Sequence, residues 1–311
     1  MSIAISVHNL TKRYGDITAV DSISFEVKQG EIFGFLGPNG AGKTTTIRIL
    51  TGIIKPDEGK ATIMGYDIEK EPLQAKQIMG IVPEMSNAYI DLSAWNNLML
   101  IGELHGVPKK QRAERAKRLL EKFDLYDRRN QLVRGFSKGM KQRLILCMAL
   151  INEPKILFLD EPTSGLDVES AKLIREMITE LNHMSSTTVF LTTHNMEEAN
   201  KLCDKVAIIN HGRIAAIDTP EKLRTKSSGL QSIEVSFDQP ANVNDLAKIL
   251  CIKQAKKMGD KIKLYTNDLG EAINGIIDYA RSHNLRIVNL NTFAPSLEDI
   301  FLELTQTKRE G

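Results

Sequence analysis

The strongest chemical signal in the sequence is a glycine-rich loop from Gly37 to Thr44, which reads Gly-Pro-Asn-Gly-Ala-Gly-Lys-Thr. It fits the pattern G-x-x-x-x-G-K-[ST], in which glycines let backbone N–H groups converge on phosphate oxygens. Lys43 would supply a full charge to the β- and γ-phosphates, and the Thr44 hydroxyl would ligate Mg²⁺. A glycine-rich turn without a ligand is the competing interpretation. An apolar strand before the loop and a helix beginning near Lys43 favour nucleoside triphosphate binding.

The predicted nucleotide-contacting residues of this segment are Gly37, Pro38, Asn39, Gly40, Ala41, Gly42, Lys43, Thr44 and Thr45.

Two adjacent acids end an apolar run further along the chain. Ile156-Leu-Phe-Leu is followed by Asp160 and Glu161, which is the form of a Walker B segment. Asp160 would hold Mg²⁺ directly or through water, and Glu161 lies where it can polarise an attacking water as a general base. The alternative is that Glu161 only caps or solvates the strand end. Two buried acids are costly without a cation to bind, and this favours the catalytic interpretation.

The elements that must position these residues form an α/β pattern. Short apolar strands alternate with amphipathic helices on both sides of a helical stretch, which predicts a parallel sheet buried on both faces. The core strands are predicted at 32–36, 156–160, 187–193 and 205–210, with helices from the glycine-rich loop to Leu50 and over 169–184. Two further strands, 3–10 and 17–27, open the chain as an antiparallel addition.

A helical lobe is predicted between the two chemical segments, over about 90–150. Near 225–229 a small polar linker ends the first domain, 1–225, and a second α+β domain, 228–311, begins. Its order β-α-β-β-α-β matches the split βαβ arrangement. Its strands are predicted at 233–237, 252–258, 262–265 and 285–290, and its helices at 243–250, 270–282 and 296–305, the last with Ser296 and Asp299 as a variant capping box.

Composition adds limits but no function. A formal net charge of +2 is too mild to predict nucleic-acid binding. The three cysteines form no CxxC pair or metal cluster and are expected to be buried. No signal peptide is evident at the N-terminus, and the longest apolar run, 144–151, is far shorter than the ~20 residues of a membrane helix. We expect a cytoplasmic chain.

With these motifs in place the sequence resembles the ABC-type ATPases, over residues 1–225. Between the two segments lies Phe136-Ser-Lys-Gly-Met-Lys-Gln-Arg, which is similar to the signature motif of that family. The resemblance implies that Ser137 and Gly139 complete the nucleotide site of an opposite subunit. Lys138 and Met140 depart from the commonest motif, Leu-Ser-Gly-Gly-Gln. By itself, a serine at a helix start is more often a structural cap.

Three further matches extend the resemblance. Ser164-Gly-Leu-Asp resembles the D-loop, which runs along a dimer interface. His194, at the carboxyl end of a predicted strand, resembles the switch histidine that contacts the γ-phosphate. Tyr14 matches the aromatic residue that stacks on adenine, and a surface tyrosine is the competing interpretation.

One position departs from the family pattern in a chemically interesting way. After the strand-like Met79-Gly-Ile-Val, the family usually has Pro-Gln, and this chain has Pro83-Glu84. The usual glutamine offers a neutral oxygen near the metal, whereas Glu84 would offer a charged one. We predict Glu84 as a Mg²⁺ ligand beside Thr44 and Asp160. The alternative is a side chain that points to solvent.

The resemblance implies the ATP-binding and ATP-hydrolysing subunit of a membrane transporter. Such a subunit acts as a homodimer, or with a related ATPase, on separate transmembrane permease subunits at the inner face of the membrane. The segment 294–302 resembles the closing segment of ATPases that serve drug, antibiotic or sodium export. Soluble ABC-type ATPases of DNA repair, chromosome organisation or translation are the alternative, although this chain has one cassette and no long heptad segment. A small-molecule kinase would leave the signature unexplained.

Overall fold

The computed structural model of the protein describes residues 2–85, 88–226 and 231–293. These residues divide into two compact units, one that ends at Thr219 and one that begins at Pro220.

The strands of the first unit form two sheets. They are β1 (Ile3–Tyr14), β2 (Ile17–Lys28), β3 (Ile32–Leu36), β4 (Glu58–Ile63), β5 (Tyr66–Asp67), β6 (Met79–Val82), β7 (Ile156–Asp160), β8 (Thr188–Thr193), β9 (Lys205–Asn210) and β10 (Arg213–Asp218). One sheet has the order β2-β1-β4-β5 and is antiparallel. The other has the order β10-β9-β3-β8-β7-β6, with five parallel strands and an antiparallel edge strand, β10.

Aromatic packing joins the two sheets. Phe25 on β2 stacks on Phe33 of β3, with ring centroids 5.5 Å apart, and lies 5.9 Å from Phe190 of β8. Every residue of β3, β7 and β8 is buried, as expected for parallel strands covered on both faces. This rigid core fixes the carboxyl ends of three neighbouring strands, where the predicted chemical residues lie.

The first unit has seven α-helices among the described residues, five of which lie where the sequence predicted helices. They are α1 (Lys43–Leu50), α2 (Pro72–Gln77), α3 (Ala94–Leu104), α4 (Lys109–Lys122), α5 (Lys138–Leu150), α6 (Val168–Ser185) and α7 (Met196–Leu202). Helices α3, α4 and α5 come after β6 and before β7 in the chain, and they pack on one another. The predicted inserted helical lobe is therefore confirmed. The cysteines Cys147 and Cys203 are buried free thiols, and burial raises their pKa.

The second unit begins with α8 (Pro220–Lys226) and continues as a small α+β fold. Its elements are β11 (Gln231–Phe237), α9 (Val243–Leu246), β12 (Ile252–Met258), β13 (Lys261–Thr266), α10 (Leu269–Ser282) and β14 (Ile287–Phe293). The sheet is antiparallel with the order β12-β13-β11-β14, and α10 buries Ala272 and Ile276 in its core. The predicted β-α-β-β-α-β order is therefore confirmed.

Some element predictions were incomplete or wrong. The structure adds β4, β5, α2, α7, β10 and α8, and α8 occupies the start of the segment predicted as a linker. Helix α9 ends at Leu246 instead of Leu250, whose side chain is exposed. The predicted last helix, with Ser296 and Asp299, and the segment 294–302 lie outside the described residues. Within the described ranges, no helix is both long and apolar enough to cross a membrane.

Candidate active site

The glycine-rich loop joins β3 to α1 and is shaped by close backbone contacts. At Gly37, a Cβ would collide with the carbonyl oxygen of Ile209. Gly42 precedes the first residue of α1, has φ +106°, and would meet the carbonyl oxygen of Ala19 in the same way. Only glycine fits such positions, and the N-terminal N–H groups of α1 are thereby presented at the loop. Backbone N–H groups at a helix start are suited to binding an anion.

Lys43 is folded into the loop that precedes it. Its Nζ donates to the carbonyl oxygens of Gly37, at 2.8 Å, and Pro38, at 3.1 Å. The same nitrogen lies 3.2 Å from Oε1 of Glu161, and both side chains are more than nine-tenths buried. A buried cation with three oxygen neighbours is held at a fixed position beside the loop.

Asp160 ends β7 and is buried beside two threonine hydroxyls. The Thr192 hydroxyl donates to its Oδ1 at 2.6 Å, and the Thr44 hydroxyl donates to the same oxygen at 3.3 Å. Thr44 is in the first turn of α1, and Thr192 is on β8, in register with Asp160. The structure thus brings together the predicted metal-binding residues Thr44 and Asp160, and it adds Thr192, which the sequence reasoning missed.

Glu161 joins the loop lysine to the predicted switch histidine. Its Oε2 is 2.8 Å from Nδ1 of His194 and 3.4 Å from the backbone nitrogen of that residue. Its Oε1 is buried and accepts no hydrogen bond within the described part of the chain, although Lys43 Nζ is near enough for an ion pair. Glu161 also has φ +50°, the left-handed region that non-glycine residues rarely occupy. Backbone conformations of this kind often mark functional sites.

A cleft of about 420 Å³ opens over the loop and collects most of the predicted residues. Its walls are Tyr14, Ala19, Asn39, Gly40, Gly42, Lys43, Thr44, Thr45, Glu84 and Glu161. Ala41, by contrast, is a buried residue whose N–H donates to the Pro38 carbonyl oxygen. Tyr14 and Glu84 are both exposed side chains at this cleft.

The signature residues are placed elsewhere. Ser137 is the N-cap of α5, and its hydroxyl accepts a hydrogen bond from the Met140 N–H at 3.2 Å. Ser137 and Gly139 line a separate cavity of about 240 Å³, which shares no lining residue with the cleft over the loop. Within one chain, the structure therefore does not bring them to Lys43, Asp160 or Glu161.

The segment that resembles a D-loop connects β7 to α6 and is tied at both ends. Asp167 caps α6, and its pKa is lowered because the N–H and hydroxyl of Ser170 donate to its carboxylate at 2.8 Å. At the other end, the Thr163 hydroxyl donates to Glu198 at 2.7 Å. Glu198 is buried on α7, four residues after His194 in the chain. The sequence offered a signal for α7 in the cap residue Asn195, three positions before Glu198.

The residues around Asp160 suit Mg²⁺. A buried carboxylate and a threonine hydroxyl are hard oxygen donors, and Mg²⁺ in proteins commonly uses one or two such groups together with phosphate oxygens. Across residues 2–85, 88–226 and 231–293, no group of three His, Cys, Asp or Glu side chains could form a closed metal cage. The donor set therefore fits a metal that is bound jointly with a nucleotide.

Fold and site together define a P-loop nucleoside triphosphatase. Comparison with protein families gives the class: residues 20–164 match the family model described as ABC transporter. Residues 219–305 match a second model, described as ATP-binding protein DrrA1-3-like, C-terminal domain.

Relatives match over nearly the whole chain. The linearmycin resistance ATP-binding protein LnrL of Bacillus subtilis is 36% identical over 309 residues, covering 97% of this chain and 98% of the relative. The Nod factor export ATP-binding protein I of Ralstonia nicotianae is 37% identical over 301 residues, covering 97% and 93%. The daunorubicin resistance ATP-binding protein DrrA3 of Streptomyces coeruleorubidus is 33% identical over 308 residues, covering 98% and 97%.

Solved structures agree. An ATP-binding subunit of an ABC transporter matches with a TM-score of 0.65 at 29% identity, covering 72% of this chain and 92% of that one. A dimeric ATP-binding cassette in a post-hydrolysis state with ADP and Pi matches with a TM-score of 0.63 at 26% identity, covering 69% and 98%. This chain belongs to the ATP-binding proteins of ABC transporters. It is an ATPase subunit that binds nucleotide, as the sequence predicted.

Proposed function

We propose that ATP and Mg²⁺ bind in the cleft over the glycine-rich loop and that Glu161 directs the attacking water. One observation carries this assignment. Glu161 is buried between Lys43 and His194, and its Oε1 accepts no hydrogen bond from the described residues. This oxygen has only the ion pair with Lys43 and no aligned hydrogen-bond donor among the described residues, so it can accept from a further partner. At the edge of a phosphate-binding loop, a water held for attack on the γ-phosphate would be that partner.

Each neighbouring residue has a distinct part in this proposal. Lys43 and the N–H groups of the loop bind the β- and γ-phosphates. Thr44 and Asp160 hold Mg²⁺, which when bound neutralises the phosphate charge. His194, whose Nδ1 lies 2.8 Å from Oε2 of Glu161, would contact the γ-phosphate, and Tyr14 would stack on the adenine.

Glu84 is included as a third oxygen ligand on the metal side of the cleft. It is an exposed carboxylate in the cleft wall that also contains Thr44. A carboxylate ~4 Å from a phosphate charge would cost roughly 4 kcal/mol at an effective dielectric of 20. A Mg²⁺ ion held by Glu84 together with Thr44 and Asp160 would reverse the sign of this interaction. Glu84 would therefore bind Mg²⁺ only when the metal and the triphosphate are both present, and it would act as a sensor of the ATP-loaded state.

The site is completed by a second subunit, either another copy of this chain or a related ATPase. Ser137 and Gly139 have no part in the cleft of their own chain, and one of the structural relatives is a dimer with ADP and Pi. We assign Ser137 and Gly139 to the γ-phosphate of the opposite subunit, where a helix start and a hydroxyl can bind an anion.

The test of this function is the dependence of ATPase rate on protein concentration. If closure of two subunits completes the site, the rate per subunit rises with concentration until dimers predominate. Light scattering on the same samples gives the dimer fraction. The ATPase rate per subunit should rise in proportion to that fraction. A rate per subunit that is constant in a proven monomer would contradict the proposal.

The chain would act on a separate transmembrane permease, at the cytoplasmic face of the membrane. The direction of transport would be export. Export is supported by relatives that are named for antibiotic resistance and for Nod factor export and that match almost end to end. No described helix could supply the membrane path. A neighbouring reading frame with about six apolar stretches of ~20 residues is therefore expected, and co-purification of its product with this chain is the direct check.

A further inference from the structure

Thr192 lies between the two acids of the site. It is on β8, one residue before the strand ends, and it pairs in register with Asp160 on β7. Its side chain is completely buried. Asp160 and Glu161 are adjacent in the chain, so one side chain opposite them can reach both residues.

The Thr192 hydroxyl makes one hydrogen bond to each acid. It donates to Oδ1 of Asp160 at 2.6 Å, and it accepts from the backbone N–H of Glu161 at 3.1 Å. A hydroxyl has one proton to donate and can accept at the same time, so both bonds exist together. The Thr192 carbonyl oxygen also accepts from the Glu161 N–H, at 3.2 Å.

These two bonds act where the chain turns away from the sheet. Glu161 has the unfavourable φ of +50°, and its N–H is fixed by Thr192 while its carboxylate reaches Lys43 and His194. A short hydrogen bond to a carboxylate is stronger than a neutral one and holds the Asp160 side chain in one orientation. The Thr192 hydroxyl thus orients the carboxylate of Asp160 and, together with the Thr192 carbonyl oxygen, holds the backbone N–H of Glu161.

We propose that Thr192 is a positioning residue for hydrolysis, whose hydroxyl sets the orientation of Asp160 toward the metal and of Glu161 toward the attacking water. The proposal rests on the roles given to Asp160 and Glu161 above. Thr192 itself would contact neither nucleotide nor metal. It acts through its two neighbours, as groups behind metal ligands commonly do.

Thr192→Val is the appropriate variant, because valine keeps the β-branched shape and replaces the hydroxyl with a methyl group that cannot hydrogen-bond. Thr188→Val is the matched control. Thr188 is on the same strand and is equally buried, and its hydroxyl accepts one hydrogen bond, from the Gly30 N–H at 3.0 Å, at the strand end away from the acids. Thr192→Ser keeps the hydroxyl and tests rescue.

The full-length variants are compared by steady-state ATPase kinetics and by electron paramagnetic resonance titration of Mn²⁺ with a non-hydrolysable ATP analogue. For Thr192→Val we expect a fall in kcat of about 10- to 100-fold with KM for ATP within about twofold, since a hydrogen bond to a charged group is lost. We expect about tenfold weaker Mn²⁺ binding. Thr192→Ser should recover most of both quantities, and Thr188→Val should change neither.

A Thr192→Val variant with the kcat and Mn²⁺ affinity of the wild type would overturn the proposal. An equal loss in Thr188→Val, or no recovery in Thr192→Ser, would do the same, because the effect would then be general packing. Glu161→Gln is run in parallel. If that variant hydrolyses ATP at the wild-type rate, the role given to Glu161 is wrong, and this failure is distinct from a failure at Thr192.

Discussion

The nucleotide cleft and the signature turn differ in how their polar groups are held. In the cleft, buried Lys43, Asp160 and Glu161 are linked through direct contacts to threonines and to His194. At the signature turn, the hydroxyl of Ser137 caps its own helix, and Gly139 lies against Ser170. The cleft resembles a catalytic centre built in advance. The turn resembles a binding surface that acts only on a second molecule.

The depth of burial explains the difference. Buried charges are tolerated only when they are paired or hydrogen-bonded, so the cleft must have its contacts in place before any ligand arrives. At the signature turn, the two residues assigned to the opposite subunit, Ser137 and Gly139, are neutral and need no partner of that kind. Damage to the cleft should therefore affect chemistry within a subunit, and damage to the turn should affect the opposite subunit.

The largest effect is expected from Glu161→Gln. Glutamine keeps the shape but cannot act as a base, so ATP hydrolysis should fall about 100-fold or more while ATP binding persists. The variant should accumulate as an ATP-loaded dimer, visible by size-exclusion chromatography with multi-angle light scattering. Rapid turnover by this variant would show that the cleft does not work as assigned.

A smaller effect is expected at Glu84, at the rim of the cleft. Glu84→Ala should lower Mg²⁺-dependent ATPase several-fold, because one hard oxygen ligand is lost, whereas Glu84→Gln keeps an oxygen and should retain activity with a shifted Mg²⁺ optimum. Both are measured as rates across a magnesium titration, with and without the permease. An alanine variant that matches the wild type throughout would mean that Glu84 is only a surface residue.

The smallest effect is expected from removal of the second unit. A fragment that ends at Thr219 contains every residue assigned to nucleotide binding and one compact unit. Its affinity for ATP should stay within about twofold of the full chain, measured calorimetrically on material with a cooperative unfolding transition. Tenfold weaker binding, about 1.4 kcal/mol, would give the second unit a part in the nucleotide site.

Much of the cleft could be predicted from sequence because its residues follow one another along the chain. The loop from Gly37 to Thr44 and the acids after β7 have local spacing that carries their chemistry. Thr192 could not be found in this way. It is one of several threonines in a buried strand, and only the register of β8 on β7 places it opposite Asp160. Thr163 and Glu198 were also missed, because they are far apart in the chain and only the tertiary fold brings the Thr163 hydroxyl to the Glu198 carboxylate.

Strand β4 and helix α7 were not predicted because each has few apolar residues in a regular pattern. Strand β4 buries only Ala61 and Ile63, and α7 is a short helix rich in polar residues. Both are held by their neighbours: β4 pairs with β1, and α7 follows the Asn195 cap. Short elements depend on tertiary contacts more than on propensity, so the sequence marks α7 only by its Asn195 cap and β4 only by two apolar residues.

The central claim, a site shared between subunits, is tested most directly by mixing two inactive variants. Each complete site consists of a cleft half, from one subunit, and a signature half, from the other. Lys43→Ala disables the cleft half. Ser137→Asp keeps a helix cap but places a negative charge against the opposite phosphate, so it disables the signature half. In a mixed dimer, one site receives an intact Lys43 and an intact Ser137, and the other site receives neither.

Random mixing in equal amounts should restore about a quarter of the wild-type ATPase rate, because half of the dimers are mixed and half of their sites are intact. Lys43→Ala mixed with Asp160→Asn is the control, and it should restore nothing, because both changes fall in the cleft half and every site has a defect. Recovery in the first mixture alone is the result that this account predicts. No recovery in either mixture, with mixed dimers shown to form, would contradict it.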